Sequence, residues 1–330
     1  MPLTWSDESR DGEITLAAVQ ASWARRVSPS GQVRATSYYR REYRNVPQQL
    51  THTLDTIDIE VQHSGRLAVR HDFIWGAGYR YNHDSTEGTP AIRFDPPDRS
   101  YPLYSAFAQT ESTVLADALF VTAALKLEHN AFSGADWQPN LRVRWQRSPS
   151  QMVWGSVARA VRRPTRFEDD IQSGSVNGVP QIRGGDAFES EVMTGWEAGY
   201  RLGARARLSL DATVFSQHYD RLRSLEAPVT GIIPITIGNG LTATSRGLEL
   251  TAVFDALPRL RTYASYSFLR TDIRRQGNPN LAFEEGSTVE AGMPIGLQLV
   301  ASEGADNVWI GVGPLTICLR GVERNGTPFA

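Results

Sequence analysis

Side chains that could carry out chemistry are few and scattered in this chain of 330 residues. The six histidines never pair at the helical i,i+4 spacing that a zinc site uses. Asp169 and Asp170 are adjacent, so on an extended chain their carboxylates point apart, and a solvated loop is expected. Cys318 is the only cysteine, which excludes an intrachain disulfide. The sequence therefore predicts no enzyme, no cofactor and no metal site.

The one local basic cluster lies at residues 162–167. Arg162, Arg163 and Arg166 are followed by Phe167, and guanidinium groups are well suited to carboxylate ligands. We predict these four side chains as contacts for a small anionic cargo such as an iron chelate. The competing interpretation is a basic surface solvated by water. A net charge of −2 gives no reason to expect a nucleic-acid partner.

Long strands are the elements that must position these residues. Apolar and polar residues alternate in segments such as 54–63 and 138–146, and a strand with that pattern has one apolar and one polar face. Charged residues such as Arg34 and Asp211 fall on the polar faces. About twelve strands are predicted by this pattern. They are 13–26, 31–44, 54–63, 66–81, 102–113, 115–127, 138–146, 151–161, 191–202, 205–219, 244–255 and 259–271.

The connections between the predicted strands alternate between short and long. The links at 64–65 and 147–150 are short, whereas those at 82–101, 162–190 and 220–243 are long. Outer-membrane barrels have short periplasmic turns and long outer loops, and a soluble sandwich has no reason to alternate in this way. The predicted fold is therefore an all-β transmembrane antiparallel barrel.

The two faces predict the surroundings of the sheet. An arginine facing lipid near the bilayer midplane costs about 2–4 kcal/mol. We therefore expect the polar faces to line an aqueous lumen and the apolar faces to meet outer-membrane lipid. Aromatic residues near strand ends are typical of the girdles of such barrels, although Trp and Tyr favour strands in any protein. The expected girdle residues are Trp23, Tyr81, Trp137, Trp154, Trp196 and Tyr219.

Five segments resemble the TonB-dependent outer-membrane receptors. QMVWGSVARAVRRPTRFEDD at 151–170 is similar to the family's W-G-S-x-S-R-A-x-R-x-P segment, and 185–202 is similar to a strand containing Y-E-L-G-Y-R. Shorter similarities follow the family's order at 104–109, 207–226 and 245–250. The principal matching residues are Trp154, Arg159, Ala160, Arg162, Pro164, Glu191, Glu197, Gly199 and Tyr200.

The resemblance implies energised import across the outer membrane without covalent chemistry. In the family, a 22-strand barrel is plugged, and the periplasmic TonB protein pulls on the plug. The implied partners are outer-membrane lipid, TonB and a small-molecule cargo such as a ferric siderophore. Cargo specificity would lie in the outer loops 82–101, 162–190 and 220–243.

The sequence also predicts an incomplete barrel with an irregular tail. Residues 1–275 are expected to supply about half of the family's strands, and 276–330, which lack clean alternation, are interpreted as a foreign or frame-shifted tail. The N-terminus lacks the basic and apolar regions of a signal peptide, and neither a TonB box nor a plug is recognised. Two alternatives stay open, namely a soluble all-β binding or structural protein and a truncated gene product without function.

Overall fold

A computed structural model describes residues 12–116, 118–205, 207–257, 260–276, 288–301 and 308–311. Long antiparallel strands account for almost all of these residues, as the alternating pattern predicts. The described residues contain one short helix, α1 (Arg166–Asp170). The strands are β1 (Glu13–Ser28), β2 (Gly31–Val46), β3 (Leu50–Ala68), β4 (His71–Gly88), β5 (Ile92–Phe94), β6 (Asp98–Leu115), β7 (Leu119–Asn130), β8 (Gly134–Ser148), β9 (Gln151–Arg162), β10 (Ile171–Val176), β11 (Val179–Arg183), β12 (Glu191–Arg205), β13 (Leu208–Glu226), β14 (Ile235–Leu257), β15 (Leu260–Arg275), β16 (Thr288–Ala301) and β17 (Val308–Gly311).

The strands form one sheet in which successive long strands pair in antiparallel order. The short strands β5, β10 and β11 leave this succession, because β10 pairs with both β5 and β11. Each predicted segment corresponds to an observed strand, although several strand bounds differ, so the all-β antiparallel fold is confirmed. Among the residues that the structure describes, β1 pairs with β2 alone and no pairing closes the sheet into a barrel.

The two ends of the sheet differ in their connections. Short turns at 29–30, 69–70 and 149–150 lie at one end, which we call the turn end. The connections 163–190 and 227–234 lie at the opposite end, which we call the loop end. The predicted alternation of links thus corresponds to two structurally different ends.

The predicted turn between β3 and β4 is displaced along the chain. The turn expected at 64–65 lies at 69–70, because β3 continues through Gly65, which pairs with Phe73 of β4. Gly and Ser favour turns by residue type, but the cross-strand pairing determines where the chain reverses.

The strands also run further at the loop end than their alternation predicts. The link expected at 45–53 is reduced to 47–49, and the link expected at 128–137 is reduced to 131–133. In both places the neighbouring strands stay paired to their ends. Polar residues at these strand ends therefore extend the sheet instead of forming loops.

The predicted tail contributes to the sheet. β16 lies within 276–330 and pairs antiparallel with β15, and β17 pairs with β16. The stretch GMPIGLQLV in β16 does not alternate between apolar and polar residues, so its periodicity could not reveal a strand. The division of the chain at residue 275 stays a prediction.

One face of the sheet is apolar and exposed. Leu141, Val157 and Trp196 are cross-strand neighbours on β8, β9 and β12, and roughly half of the surface of each side chain is accessible. Trp23 and Trp137 are similarly exposed. No second layer of described residues packs on this face, which contradicts a two-layer sandwich.

The opposite face is polar and carries ion pairs. Nε of Arg80 donates a hydrogen bond to Oδ2 of Asp58 at 2.8 Å, and Nε of Arg201 donates one to Oδ2 of Asp211 at 2.5 Å. Charges of both signs thus share this face, as the alternation of the strands predicts.

Two of the expected girdle residues lie on the polar face instead. Trp154 packs over Gly199, where a Cβ atom would collide with the indole ring, and the guanidinium of Arg142 lies 5.9 Å from the ring centre. Tyr219 donates a hydrogen bond to Gln217 at 2.7 Å on the same face. Both residues were predicted as girdle residues because they lie near strand ends. Side chains alternate between the two faces along β9 and β13, and this alternation places both on the polar face.

Candidate functional site

The connection 163–190 folds over the loop end of the sheet. It begins with α1, whose first turn is closed by a capping box between Thr165 and Glu168. The backbone N–H of Thr165 donates to Oε2 of Glu168 at 2.9 Å, and the backbone N–H of Phe167 donates to Oγ1 of Thr165 at 3.2 Å. We call residues 163–190 the cap.

A small apolar core holds the cap in place. Ile171 and Phe188 of the cap are buried against Ile237 of β14, and partly buried neighbours surround them. β10 pairs with β5, and Ile182 of β11 pairs in parallel with Ile235 of β14. The long connection that the sequence predicted as a solvated loop is therefore a folded unit.

Arg166 fastens the cap to the sheet. Only 4% of its surface is exposed, and its guanidinium donates to Oδ2 of Asp170 and to Oδ1 of Asp84, both at 2.8 Å. It also donates to the carbonyl oxygens of Pro96 and Pro97. The prediction that Arg166 contacts cargo is wrong, because protein oxygens surround its guanidinium.

The expectation of a solvated loop is also wrong for Asp169 and Asp170. Asp170 is buried, and Arg99 of β6 donates to both carboxylates. Burial raises the pKa of Asp170 in spite of its bonds to Arg166 and Arg99. The two carboxylates converge because they belong to the last two residues of a helix rather than to an alternating strand.

Arg162 links β9, the cap and β12. Its Nε and Nη2 atoms donate to the two carboxylate oxygens of Glu191 at 2.6 and 2.9 Å, and Nη1 donates to Oε1 of Glu168 at 3.0 Å. Burial alone would raise the pKa of Glu168, but bonds from Thr165 and Arg162 hold that pKa below its ordinary value. The bidentate pair fixes the guanidinium while leaving part of it exposed.

A cavity of about 370 Å³ lies beside this linkage on the polar face. Arg163 reaches it with a loosely held guanidinium, since its nearest carboxylate oxygen, on Glu128, is 3.8 Å away. Tyr101 and Phe132 line it with rings whose centres are 5.2 Å apart. The cavity is lined by Arg80, Asn82, Tyr101, Pro102, Leu103, Asn130, Ala131, Phe132, Val161, Arg162, Arg163, Pro164 and Thr165.

The cavity is also lined by residues that the basic cluster at 162–167 did not predict. Arg80, Tyr101 and Phe132 lie on β4, on β6 and after β7, far in sequence from Arg163. Only the strand pairing brings them together. Cationic groups beside aromatic faces can hold an anionic ligand that has planar or aromatic parts.

Phe167, the fourth predicted contact, does not line this cavity. Phe167 is 43% exposed, and the guanidinium carbon of Arg223 lies 5.7 Å from the centre of its ring. Of the four predicted cargo contacts, Arg162 and Arg163 therefore meet at the cavity, and Phe167 lies on the exposed side of α1.

The residues that carry the receptor resemblance lie mainly on β9 and β12. Trp154 faces Gly199, Arg162 faces Glu191, and Tyr200 pairs with Val153. The remaining motif positions are Arg159 and Ala160 in β9, Pro164 before α1, and Glu197 in β12. A role in function for these residues stays a prediction.

Two further kinds of functional feature are absent from the described residues. Among the described parts of the chain, no helix is long and apolar enough to cross a membrane. The same residues contain no group of three or more His, Cys, Asp or Glu side chains that could hold a metal ion.

A family described as "TonB dependent receptor-like, beta-barrel" matches residues 3–295. The chain belongs to this family. The predicted resemblance is thereby confirmed over most of the sequence. TonB-dependent receptors are outer-membrane β-barrel proteins, which agrees with the exposed apolar face of the sheet.

Solved structures of the family have a similar fold. The siderophore receptor PirA from Acinetobacter baumannii is 13% identical with a TM-score of 0.63, over 88% of this chain and 57% of that chain. The FrpB iron transporter from Neisseria meningitidis (F3-3 variant) is 12% identical with a TM-score of 0.68, over 88% and 48%. The outer membrane transporter YddB from Escherichia coli is 10% identical with a TM-score of 0.68, over 87% and 49%.

The chain thus corresponds to about half of the length of these structures. At this level of identity the likeness concerns the fold. No curated protein matches the chain at a significant level.

Proposed function

We propose that this chain is a portion of an outer-membrane TonB-dependent receptor that takes up a small anionic nutrient such as a ferric siderophore. The observation that carries the proposal is the cavity formed by Arg163, Tyr101 and Phe132 on the polar face of a sheet whose other face is exposed and apolar. Such a cavity at the loop end would meet cargo from outside the cell.

The similar structures support a metal-related cargo without fixing which one. PirA is a siderophore receptor and FrpB an iron transporter, while the similarly folded OprC is a copper transporter. The positive side chains of the cavity favour an anionic chelate over a bare metal cation. On this proposal the chain performs no covalent chemistry, and TonB is the partner that supplies energy.

Within the cavity we assign the first contact with cargo to Arg163. Arg80 and Arg162 already bond to Asp58, Glu168 and Glu191, whereas Arg163 is held only at 3.8 Å. A guanidinium without a close carboxylate partner loses little when it turns towards an incoming anion.

Binding of a ferric tris-catecholate to the full chain in lipid nanodiscs tests the proposal. We expect binding that Arg163→Gln weakens about tenfold, because a charge-assisted hydrogen bond contributes about 1.5–3 kcal/mol. Arg34→Gln removes the same charge from the polar face near the turn end and should leave affinity unchanged. Absence of binding, or equal weakening by both variants, would contradict the proposal.

A further inference from the structure

The turn between β7 and β8 carries Phe132, one of the aromatic side chains of the cavity. The backbone N–H groups of Phe132 and Ser133 both donate to Oδ1 of Asn130, each at 2.9 Å. An asparagine oxygen that accepts from the backbone two residues further on forms an Asx turn, which fixes the course of the chain locally. The buried side chain of Asn130 therefore determines where Phe132 lies.

A closed set of hydrogen bonds joins this turn to the last residue of the cap. Nδ2 of Asn130 donates to Oγ of Ser133 at 2.9 Å, and Oγ of Ser133 lies 2.6 Å from Oγ of Ser190. Oγ of Ser190 donates to Oδ2 of Asp136 at 2.7 Å, and Nδ2 of Asn130 lies 3.5 Å from the same oxygen. Because Ser190 donates to Asp136, Ser133 is the donor to Ser190. We call these four residues the hydroxyl ring.

The composition of the hydroxyl ring indicates a role beyond stability. Asp136 and Ser190 are 8% and 2% exposed, and the partners of Asp136 among the described residues are neutral donors. A buried carboxylate without a cation costs free energy that apolar side chains of similar volume would avoid. A fully satisfied polar network instead holds its members in one arrangement. The feature held by this arrangement is the side chain of Phe132 at the wall of the cavity.

A second connection between Phe132 and the cap runs through β6. The guanidinium carbon of Arg99 lies 4.6 Å from the centre of the Phe132 ring. Arg99 also donates to Asp169 and Asp170 of α1. The cap therefore contacts the surroundings of Phe132 at two places, through α1 near its start and through Ser190 at its end.

The charged side of the cavity depends on different contacts. Arg162 is held by Glu168 and Glu191, and the nearest carboxylate oxygen to Arg163 is 3.8 Å away. Among the described residues, neither guanidinium bonds to a member of the hydroxyl ring. The aromatic and the charged sides of the cavity can therefore be perturbed separately.

We propose that Asp136 and Ser190 are positioning residues that give the cavity a preference for aromatic chelates over other anions of the same charge. Neither residue lines the cavity. Together with Asn130, they hold Phe132 where an aromatic ring of the ligand can pack against it, and such packing adds to the attraction between an anion and the guanidinium groups. The inference rests on the proposed function, because it concerns the same cavity.

Two ferric chelates of equal charge separate the aromatic contribution from the electrostatic one. The full chain in lipid nanodiscs is titrated with ferric tris-catecholate and with ferric tris-oxalate, which has no aromatic ring. We expect the tris-catecholate to bind about fivefold more tightly. Phe132→Leu and Ser190→Ala should each remove most of this preference by weakening the tris-catecholate alone, whereas Arg163→Gln should weaken both chelates to a similar extent.

Ser245→Ala is the matched control. It removes the hydroxyl of another buried serine, which bonds to Thr271 of β15, and it should leave both affinities unchanged. Hydrogen exchange at the backbone N–H groups of Phe132 and Ser133 should accelerate in Ser190→Ala and stay unchanged in Ser245→Ala. This measurement reports directly whether the turn has lost its position.

Two results would overturn the inference. Equal weakening of both chelates by Ser190→Ala would show that the hydroxyl ring only stabilises the fold, and an unchanged preference would show that it does not position Phe132. In both cases the unaltered chain still binds the tris-catecholate, so the proposed function stands. Failure of the unaltered chain to bind either chelate would instead contradict the proposed function, and the inference with it.

Discussion

The middle of the sheet and the cap at its loop end are built on different physical principles. In the middle, Leu141, Val157 and Trp196 stay exposed, and backbone pairing joins the strands. In the cap, Ile171 and Phe188 are buried as in a water-soluble protein. The first region needs lipid on its apolar face, whereas the second is stabilised by burial of apolar groups and paired charges.

The two regions also place their charged side chains differently. In the middle of the sheet, ion pairs such as Arg201 with Asp211 are partly open to water on the polar face. In the cap, Arg166 is closed off together with Asp84 and Asp170. Perturbing the two regions should therefore produce effects of different size and with different dependence on lipid.

The largest effect is expected from Arg166→Ala in the cap. The change removes the bonds of Arg166 to the buried carboxylates of Asp84 and Asp170, and Arg99 stays bonded to Asp170. Removing one partner of a buried ion pair typically costs about 3–5 kcal/mol. Hydrogen exchange should accelerate throughout 163–190, while the strands of the sheet keep their protection. Arg163→Ala, at a more exposed arginine, is the control and should change protection by less than about 1 kcal/mol. Equal effects of the two variants would show that the cap does not depend on the buried pair.

The next effect is expected from Leu141→Arg in the middle of the sheet. An arginine on the lipid face near the midplane costs about 2–4 kcal/mol, which equilibrium unfolding in bilayers measures. Asn140→Arg is the matched control, because Asn140 lies between Ala124 and Ala158 on the polar face and an arginine there stays in water. A larger loss for Asn140→Arg would reverse the assignment of the two faces.

A smaller effect is expected from Thr165→Ala at the start of α1. Loss of the capping hydroxyl should cost about 1 kcal/mol, which local hydrogen exchange in α1 measures. Thr165→Ser keeps the hydroxyl and should restore protection. Protection that does not change in Thr165→Ala would show that the capping box contributes nothing to the cap.

The smallest effect is expected from acidification. The pKa of Glu168 is held below its ordinary value, so its contribution to stability is complete above the unfolded-state pKa and is lost as pH falls through the folded-state pKa. The raised pKa of Asp170 acts in the opposite direction, since that group favours the folded state on protonation. The cap should loosen below about pH 4.3, and Glu168→Gln should weaken this acid transition. An acid transition of equal size in Glu168→Gln would assign it to other groups.

Local patterns in the sequence were sufficient to predict the sheet but not the cap. Alternation predicted β9 and β13 because each residue of a strand contributes to one face independently of distant residues. β16 was missed because its apolar stretch has no period of two. The turn at 69–70 was misplaced because Gly65 has the composition of a turn but the pairing of a strand.

The candidate site depended on contacts that are distant in sequence. Arg166 is unavailable to a ligand because its guanidinium bonds to Asp84 and to the carbonyl oxygens of Pro96 and Pro97, about 70 to 80 residues away. Tyr101 and Phe132 reach the cavity only through the pairing of β6 with its neighbours. A basic cluster in sequence could therefore predict the type of side chain at the site but not which of its members are available to a ligand.

The apolar face of the sheet should meet lipid and the polar face should meet water. Fluorescent labels at Leu141→Cys and Asn140→Cys, each in a background with Cys318→Ser, test it in bilayers with a lipid-borne and an aqueous quencher. We expect the lipid-borne quencher to act on the label at 141 and the aqueous quencher to act on the label at 140. Equal aqueous quenching at both positions, or shielding of position 141 from both quenchers, would contradict it.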